Sequence, residues 1–266
     1  MQHLEHGHAP ARPVGQARAG ASAGYRFGRW LAAACFGLLV VAGGLWAGKD
    51  VVFYHTYDTA YGETRTFVLP DRSQVTLNAH SRLKVPRRFL WAHQREVWLA
   101  GEAFFRVARR PDRATFTVHT PDLRVEVLGT KFNVSQRRGT TRVVLSEGKV
   151  KLVAKAGRTV APLLMQPGDY AELAPARTAF RKKTVKPEHY SSWQDNKLIF
   201  EQTPLPEVLQ TVEDFYGVRI VLADSTLADR KFTSTLPNND LDVVLKSLER
   251  VFGFEVVREP GQVVLQ

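Results

Sequence analysis

Residues 95 to 134 read as β-strand almost throughout. Val97 and Leu99, Ala103, Phe105 and Val107, Phe116 and Val118, and Val125 and Val127 fall on alternate positions, the period imposed by a sheet with one buried face. Glu96, Glu102, Arg106, Thr117, Arg124 and Glu126 fill most of the places between, with Trp98 and Phe104 as apolar exceptions. After Leu128-Gly129 the phase moves by one, because Leu128, Phe132 and Val134 lie on even positions. A glycine at such a slip predicts a β-bulge or a bend.

The same grammar extends to both sides. Phe67 and Leu69 lead into the turn-forming cluster Pro70-Asp71-Arg72-Ser73, and Val75 and Leu77 then alternate with Thr76 and Asn78, so a hairpin is expected. Leu83 and Val85 continue the phase until Pro86, Arg87 and Arg88 break it. Val143 and Leu145 form another strand, which Glu147-Gly148 should turn back into Val150 and Leu152. Gln166-Pro167-Gly168-Asp169 makes a tight turn before Tyr170 to Leu173. Short strands at short intervals, with no helical period, predict an all-β domain over 61–175.

From 193 onward the pattern changes and repeats. Leu198 to Phe200 is strand-like, and Thr203 is placed to cap a helix beginning at Pro204. Leu205, Val208, Leu209, Val212, Phe215 and Tyr216 share one face of that helix, Gly217 stops it, and a strand follows over Val218 to Leu222. A strand over Lys231 to Thr235 opens the second copy, in which Asp240 caps a helix carrying Leu241, Val244, Leu245, Leu248, Val251 and Phe252 on one face. Gly253 stops that helix and Phe254 to Val257 returns as strand. Positions 205, 208, 209, 212, 216 and 217 recur 36 residues later, the stop glycine included.

The segment 193–266 therefore reads as a C-terminal tandem βαβ domain, its helices covered by one small sheet drawn from both halves. Gln262 to Leu265 adds a last strand after Pro260-Gly261. Residues 176–192, with Arg181, Lys182 and Lys183 on a solvated face, are a linker or one extended strand. A small sheet has exposed edges, and an exposed edge can accept a partner strand. The candidate partner-binding positions are Lys197, Glu201, Lys231 and Thr233, while Leu198, Phe200, Phe232 and Val256 are assigned to the core.

Trp30 to Gly48 contains no charged residue and is long enough as a helix to cross about 30 Å of hydrocarbon. Trp30 and Trp46 sit near its ends, and Arg12, Arg18, Arg26 and Arg29 precede it against a single Glu5, so the N-terminus is expected in the cytoplasm. The alternatives fit less well. Leu45-Trp46-Ala47 is a poor cleavage site for a signal peptide, and the apolar run follows Cys35 where a lipidation signal would precede it. The expected order is a short cytoplasmic tail over 1–29, a single N-terminal transmembrane helix over 30–48, and the rest beyond the inner membrane.

Composition narrows the function. Cys35 is the only cysteine of 266 residues, which rules out an internal disulfide framework. The net charge of +11 is scattered, with no basic run interleaved with aromatics, so nucleic acid is not an expected partner. His3, His6 and His8 lie on a tail poor in large apolar residues that offers them no supporting partners, so no metal site is expected there. No nucleophile elbow, paired-histidine metal motif, P-loop or glycine-rich dinucleotide fingerprint occurs, so neither catalysis nor a cofactor is expected. Asp71, Glu102, Glu147 and Asp169 fall at turns or strand edges, where acidic side chains usually meet water.

Four blocks carry a family resemblance: L-P-D-R-S-Q-V-T-L-N-A-H-S-R-L at 69–83, G-E-A-F-F-R-V-A at 101–108, V-L-G-T-K-F-N-V at 127–134 and W-Q-D-N-K-L-I-F-E-Q-T-P-L-P-E-V-L at 193–209. In this order, behind an apolar segment, they resemble the FecR family of transmembrane anti-sigma regulators, and the tandem βαβ segment is similar to the short signalling modules of secretins and TonB-dependent transducers. The resemblance implies mainly β architecture with a small α+β module, and an all-β periplasmic domain. It also implies a relay from the periplasmic signalling domain of an outer-membrane TonB-dependent transducer to a cytoplasmic ECF sigma factor, with an intramembrane protease acting on the regulator, in iron or other nutrient uptake.

Three departures accompany the resemblance. Arg72 stands where the family turn has glycine, which implies a different hairpin, and Ser234 stands where glycine is common. The tail 1–29 lacks the helices and tryptophans of the family's sigma-binding segment, which makes the sigma-factor contact the weakest link. Two other functions stay open: an envelope protein that binds cell wall or glycan through aromatics such as Trp91 and Trp98, and a periplasmic hydrolase whose residues converge only in the fold.

Overall fold

The computed structural model describes residues 36–38, 53–89, 95–155, 157 and 159–266. Apart from the helical residues 36–38, the expected anchor and the tail 1–29 lie outside the described residues, as does Trp91. No helix among the described residues is long and apolar enough to cross a membrane. Asp50–Gln266 is one compact unit.

Its first part is a two-layer β-sandwich. One layer contains β1 (Tyr54–Asp58), β4 (Arg82–Pro86), β6 (Phe116–His119), β7 (Leu123–Val127), β10 (Val150–Ala154) and β11 (Leu163–Met165). The other contains β2 (Arg65–Val68), β3 (Gln74–Leu77), β8 (Lys131–Arg137), β9 (Thr140–Glu147), β12 (Asp169–Leu173) and β13 (Arg181–Thr184). β5 (Arg95–Arg106) belongs to both. Its first half pairs with β4 and, in parallel, with β6, whereas Gly101 to Arg106 pair with β8 and, over Ala103 to Arg106, with β3. The strand changes layer at Gly101, whose φ of 94° and hard approach to Ser81 leave no room for a Cβ.

The alternation read from the sequence is the inward face of these layers. Val97, Leu99, Ala103 and Phe105 of β5 meet Val118, Val125, Phe132, Val134 and Leu145 in a single hydrophobic core. Burying each such Val, Leu or Phe stabilises the fold by about 1.5–3 kcal/mol relative to leaving it in water.

The phase slip at Gly129 is a bend, at which the chain leaves the first layer after β7 and enters the second at β8. A Cβ on Gly129 would lie 2.6 Å from the Arg109 Cβ, so the backbone passes too closely for any side chain. Glu147-Gly148 corrects an expectation, because it does not close a hairpin. β9 pairs with β8 and β12 while β10 pairs with β7 and β11, so this segment also crosses between layers. The two crossings lie against each other: a Cβ on Gly148 would be 2.9 Å from the Gly129 carbonyl, and the Thr130 hydroxyl donates to the Lys149 carbonyl at 3.0 Å.

The hairpin around Arg72 forms as expected, with Arg65 opposite Leu77 and Val68 opposite Gln74. Arg72 takes φ 68°, the left-handed conformation that glycine adopts at least cost, so the departure is absorbed by the residue and calls for no different turn. Asp71 holds it in place by accepting from the Ser73 N–H at 2.9 Å and the Ser73 hydroxyl at 2.8 Å. Asp71 is thus no solvated turn residue: its carboxylate is fully buried and paired with Arg95. β1 was not legible in the sequence, since its side chains are mostly exposed.

The C-terminal part contains β14 (Lys197–Pro204), helix α1 (Leu205–Tyr216), β15 (Arg219–Leu222), β16 (Lys231–Pro237), helix α2 (Leu241–Phe252), β17 (Val256–Glu259) and β18 (Gln262–Leu265). The repeat is real in element order and helix ends, for Gly217 and Gly253 stop their helices at φ 73° and 78°. Strands from both halves do pair, but in two small sheets instead of one. β14 pairs with β16 as a ribbon, and β15, β18 and β17 make a separate three-stranded sheet with β18 at its centre.

Asp240 caps α2 by accepting from the Asp242 N–H at 2.8 Å. Thr203 caps nothing: it belongs to β14, Pro204 precedes α1 without a side-chain cap, and the Leu205 N–H instead donates to the Arg230 carbonyl at 2.9 Å. The segment before β14 holds the edge strand β13 and two short 3₁₀ turns, Pro187–Tyr190 and Ser192–Asp195.

Candidate functional site

The β14–β16 ribbon brings the four candidate residues onto two adjacent strands. Leu198 and Phe200 of β14 and Phe232 and Leu236 of β16 point into the core, with Trp193, Val208 and Leu245 around them. Val256 is only partly buried beside that core. Lys197, Glu201, Lys231 and Thr233 are all exposed, as alternation with the buried set requires. Lys197 stands opposite Pro237 at one end and Lys231 opposite Pro204 at the other. Neither strand has a second strand partner, so each leaves an edge unpaired by strands among the described residues.

Glu201 and Thr233 lie on either side of an irregularity in the ribbon. The register shifts between Phe200 and Thr203, and Gln202, at φ 49°, donates its N–H to the Thr233 hydroxyl at 2.9 Å. Glu201 turns toward the preceding segment, where Lys186 Nζ lies 2.7 Å away and His189 Nδ1 3.6 Å away. The hydrogen bond from Lys186 holds its carboxyl below the usual carboxylate range.

Behind the ribbon, β14 and α1 lie over the outer face of the second sandwich layer and enclose a cleft of about 490 Å³. This explains one exception in the sequence pattern, for Phe104 points away from the sandwich core and is buried in the C-terminal one. The floor is otherwise polar. Glu102 accepts from Asn78 Nδ2 at 2.9 Å and Asn133 Nδ2 at 2.8 Å, and Arg137 Nε lies 3.7 Å away. Glu172 accepts from the Tyr170 hydroxyl at 2.7 Å and from Arg142 Nε at 3.1 Å. Burial alone would raise the Glu172 carboxyl, but these two bonds hold it below its ordinary value; burial pushes the Tyr170 phenol well up. Asn133 Oδ1 and Arg137 Nε are buried and have no hydrogen-bond partner.

At the far rim, Arg138 donates to Glu213 Oε2 at 3.1 Å and to Asp214 Oδ1 at 2.7 Å, both on α1. Burial raises the Asp214 carboxyl despite the facing Arg137 and Arg138. The Gly62 N–H donates to the Phe215 carbonyl at 2.8 Å, and the Tyr61 ring stacks on His80 while resting on Gly217. Sequence reasoning missed Arg138, Tyr61, Glu213 and Asp214. Arg138-Gly139 carries only a turn signal, and nothing local marks which surface a turn will face.

Among the cleft carboxylates, Glu102 and Glu172 are engaged by amides, a phenol and a guanidinium of the sandwich itself, whereas Asp214 is engaged across the cleft by Arg138. Trp98 is half-buried, stacked on His119 at 4.8 Å and edge-on to Tyr54 at 5.4 Å. No group of three metal-ligating side chains occurs among the described residues.

Comparison with known proteins agrees with this architecture. Residues 55–151 match the FecR protein domain, and residues 197–265 match the FecR C-terminal domain. Two crystal structures of a candidate anti-sigma factor from Parabacteroides distasonis ATCC 8503, at 1.65 and 2.50 Å resolution, are similar to the chain. Each is 27% identical and is matched over 80% of this chain and 98% of its own length, with TM-scores of 0.68 and 0.67. No curated protein matches the sequence.

Proposed function

Because the chain belongs to the FecR family, we propose that it relays a signal from the periplasmic signalling domain of an outer-membrane TonB-dependent transducer to a cytoplasmic ECF sigma factor. Its type is that of an anti-sigma regulator and not of an enzyme, in keeping with its family and its structural relatives. In this reading the protein crosses the inner membrane once at residues 30–48, with its N-terminus in the cytoplasm and its C-terminus in the periplasm. An intramembrane protease releases the cytoplasmic piece, and the pathway serves uptake of iron or another nutrient.

The observation that supports the relay most directly is the β14–β16 ribbon with its two edges unpaired by strands, inside the segment matching the FecR C-terminal domain. Such an edge offers a row of backbone donors and acceptors to an incoming strand. Lys197, Glu201, Lys231 and Thr233 flank those edges, and the charges of the first three would set register.

Titration of the detergent-solubilised full chain with the purified signalling domain of the transducer encoded beside it tests the reading. Saturable binding at micromolar concentration or tighter is expected, weakened at least tenfold by Lys231→Glu together with Thr233→Pro. Absence of binding to every transducer domain encoded nearby would sink it.

A further inference from the structure

Arg138 sits in the two-residue turn joining β8 to β9, where it and Gly139 have φ of 50° and 74°. Both values suit the tight hairpin, but the first position favours Gly, Asn or Asp, and an arginine there is strained. A strained residue persists where its surroundings hold it, and here the holding contact is the pair of carboxylates on α1. His80 repeats the pattern: at φ 46° it stacks at 4.1 Å on the Tyr61 ring that bears on Gly217.

The surface between these contacts is poorly suited to permanent burial. Its lining sets Glu102, Asn133, Arg142, Glu172 and Asp214 beside Leu198 and Phe215, encloses about 490 Å³, and leaves Asn133 Oδ1 and Arg137 Nε without hydrogen-bond partners. A contact within a chain that is not large and uniformly hydrophobic permits relative motion of the parts it joins. The segment joining the two parts, 185–191, is short and holds one 3₁₀ turn, after which Trp193 is already buried in the C-terminal core.

We propose that the C-terminal module is a movable arm, held shut on the outer face of the second sandwich layer by a clasp made of Arg138 with Glu213 and Asp214 and of Tyr61 against Gly217. Opening swings the arm about residues 185–191 and uncovers the cleft-facing sides of β14 and α1, together with the Phe104 and Tyr170 side chains beneath them. The clasp works through charge at one contact and ring packing at the other, so salt weakens only the first. This movement is independent of which partner the module takes.

The test uses the full chain with Cys35→Ser and spin labels at Thr115→Cys on the sandwich and Lys246→Cys on α2, both exposed positions. The clasp predicts one narrow label distance. Arg138→Gly should shift the distribution to longer distances and raise the open fraction about tenfold, the loss expected from removing charged hydrogen bonds at a partly exposed site. Glycine relieves the strain at φ 50°, so the same variant should keep or raise the midpoint of urea unfolding, which separates opening from unfolding. High salt should move the parent protein in the same direction. An unchanged distance in Arg138→Gly, a lowered unfolding midpoint that accounts for the shift, or a parent already distributed between short and long distances would each overturn the clasp.

Discussion

The guanidinium of Arg95 lies 3.0 Å from the carboxylate of Asp71, and neither side chain has contact with solvent beyond 1%. The same guanidinium donates to the carbonyls of Ala108 at 2.8 Å and of Ala114. One arginine at the start of β5 therefore ties the β2–β3 turn to the segment that carries the chain from β5 to β6. Arg95→Ala leaves the Asp71 charge buried without its partner, and a cost of about 3–5 kcal/mol is expected. Chemical denaturation of the full chain measures it. A loss under 1 kcal/mol would mean that the buried pair does not anchor the sandwich.

Gly217 and Gly253 occupy equivalent places in the repeat but not equivalent surroundings. Around Gly253 there is open space, so Gly253→Ala should cost only the left-handed penalty of about 1–2 kcal/mol. A Cβ on Gly217 would stand 2.5 Å from the Tyr61 ring, so Gly217→Ala should cost more. Tyr61→Ala should remove the excess and leave the pair strongly non-additive. Unfolding midpoints of the two singles and the double decide this, and additive losses would contradict it.

The two helix starts differ in the same testable way. Asp240→Ala removes the side chain that receives the Asp242 N–H and should cost about 1 kcal/mol. Thr203→Ala should change stability by no more than about 0.5 kcal/mol, because Thr203 lies in β14 and caps no helix.

Acid should act on the cleft with two opposing signs. The Glu172 carboxyl is held below its ordinary value, so its contribution is complete above the unfolded-state value near 4.3 and is lost as pH falls through the folded one. Asp214 is raised by burial, so its ionised form costs stability at neutral pH and protonation relieves that cost. Glu172→Gln should flatten the acid-side fall of the thermal midpoint between about pH 5 and 3, whereas Asp214→Asn should steepen it. Superimposable pH profiles for all three proteins would refute both assignments.

What could be read in the sequence was whatever depends on spacing along the chain. Alternation at Val97, Leu99, Ala103 and Phe105 marks the inward face of β5, because successive strand side chains point to opposite sides wherever the strand is placed. The 36-residue recurrence marks two helices with glycine stops, because an apolar stripe and a left-handed cap are local requirements. What the chain pairs with is not local. Only the tertiary structure decides that Glu147-Gly148 crosses between layers instead of closing a hairpin, that β14 and β15 enter different sheets, and that Asp71 is buried on Arg95. The same holds for Phe104, which breaks the alternation because a module about a hundred residues further along the chain covers it. Strand pairing and burial are settled by which surfaces meet in space, and residues far apart in sequence carry no mark of the partner they will find.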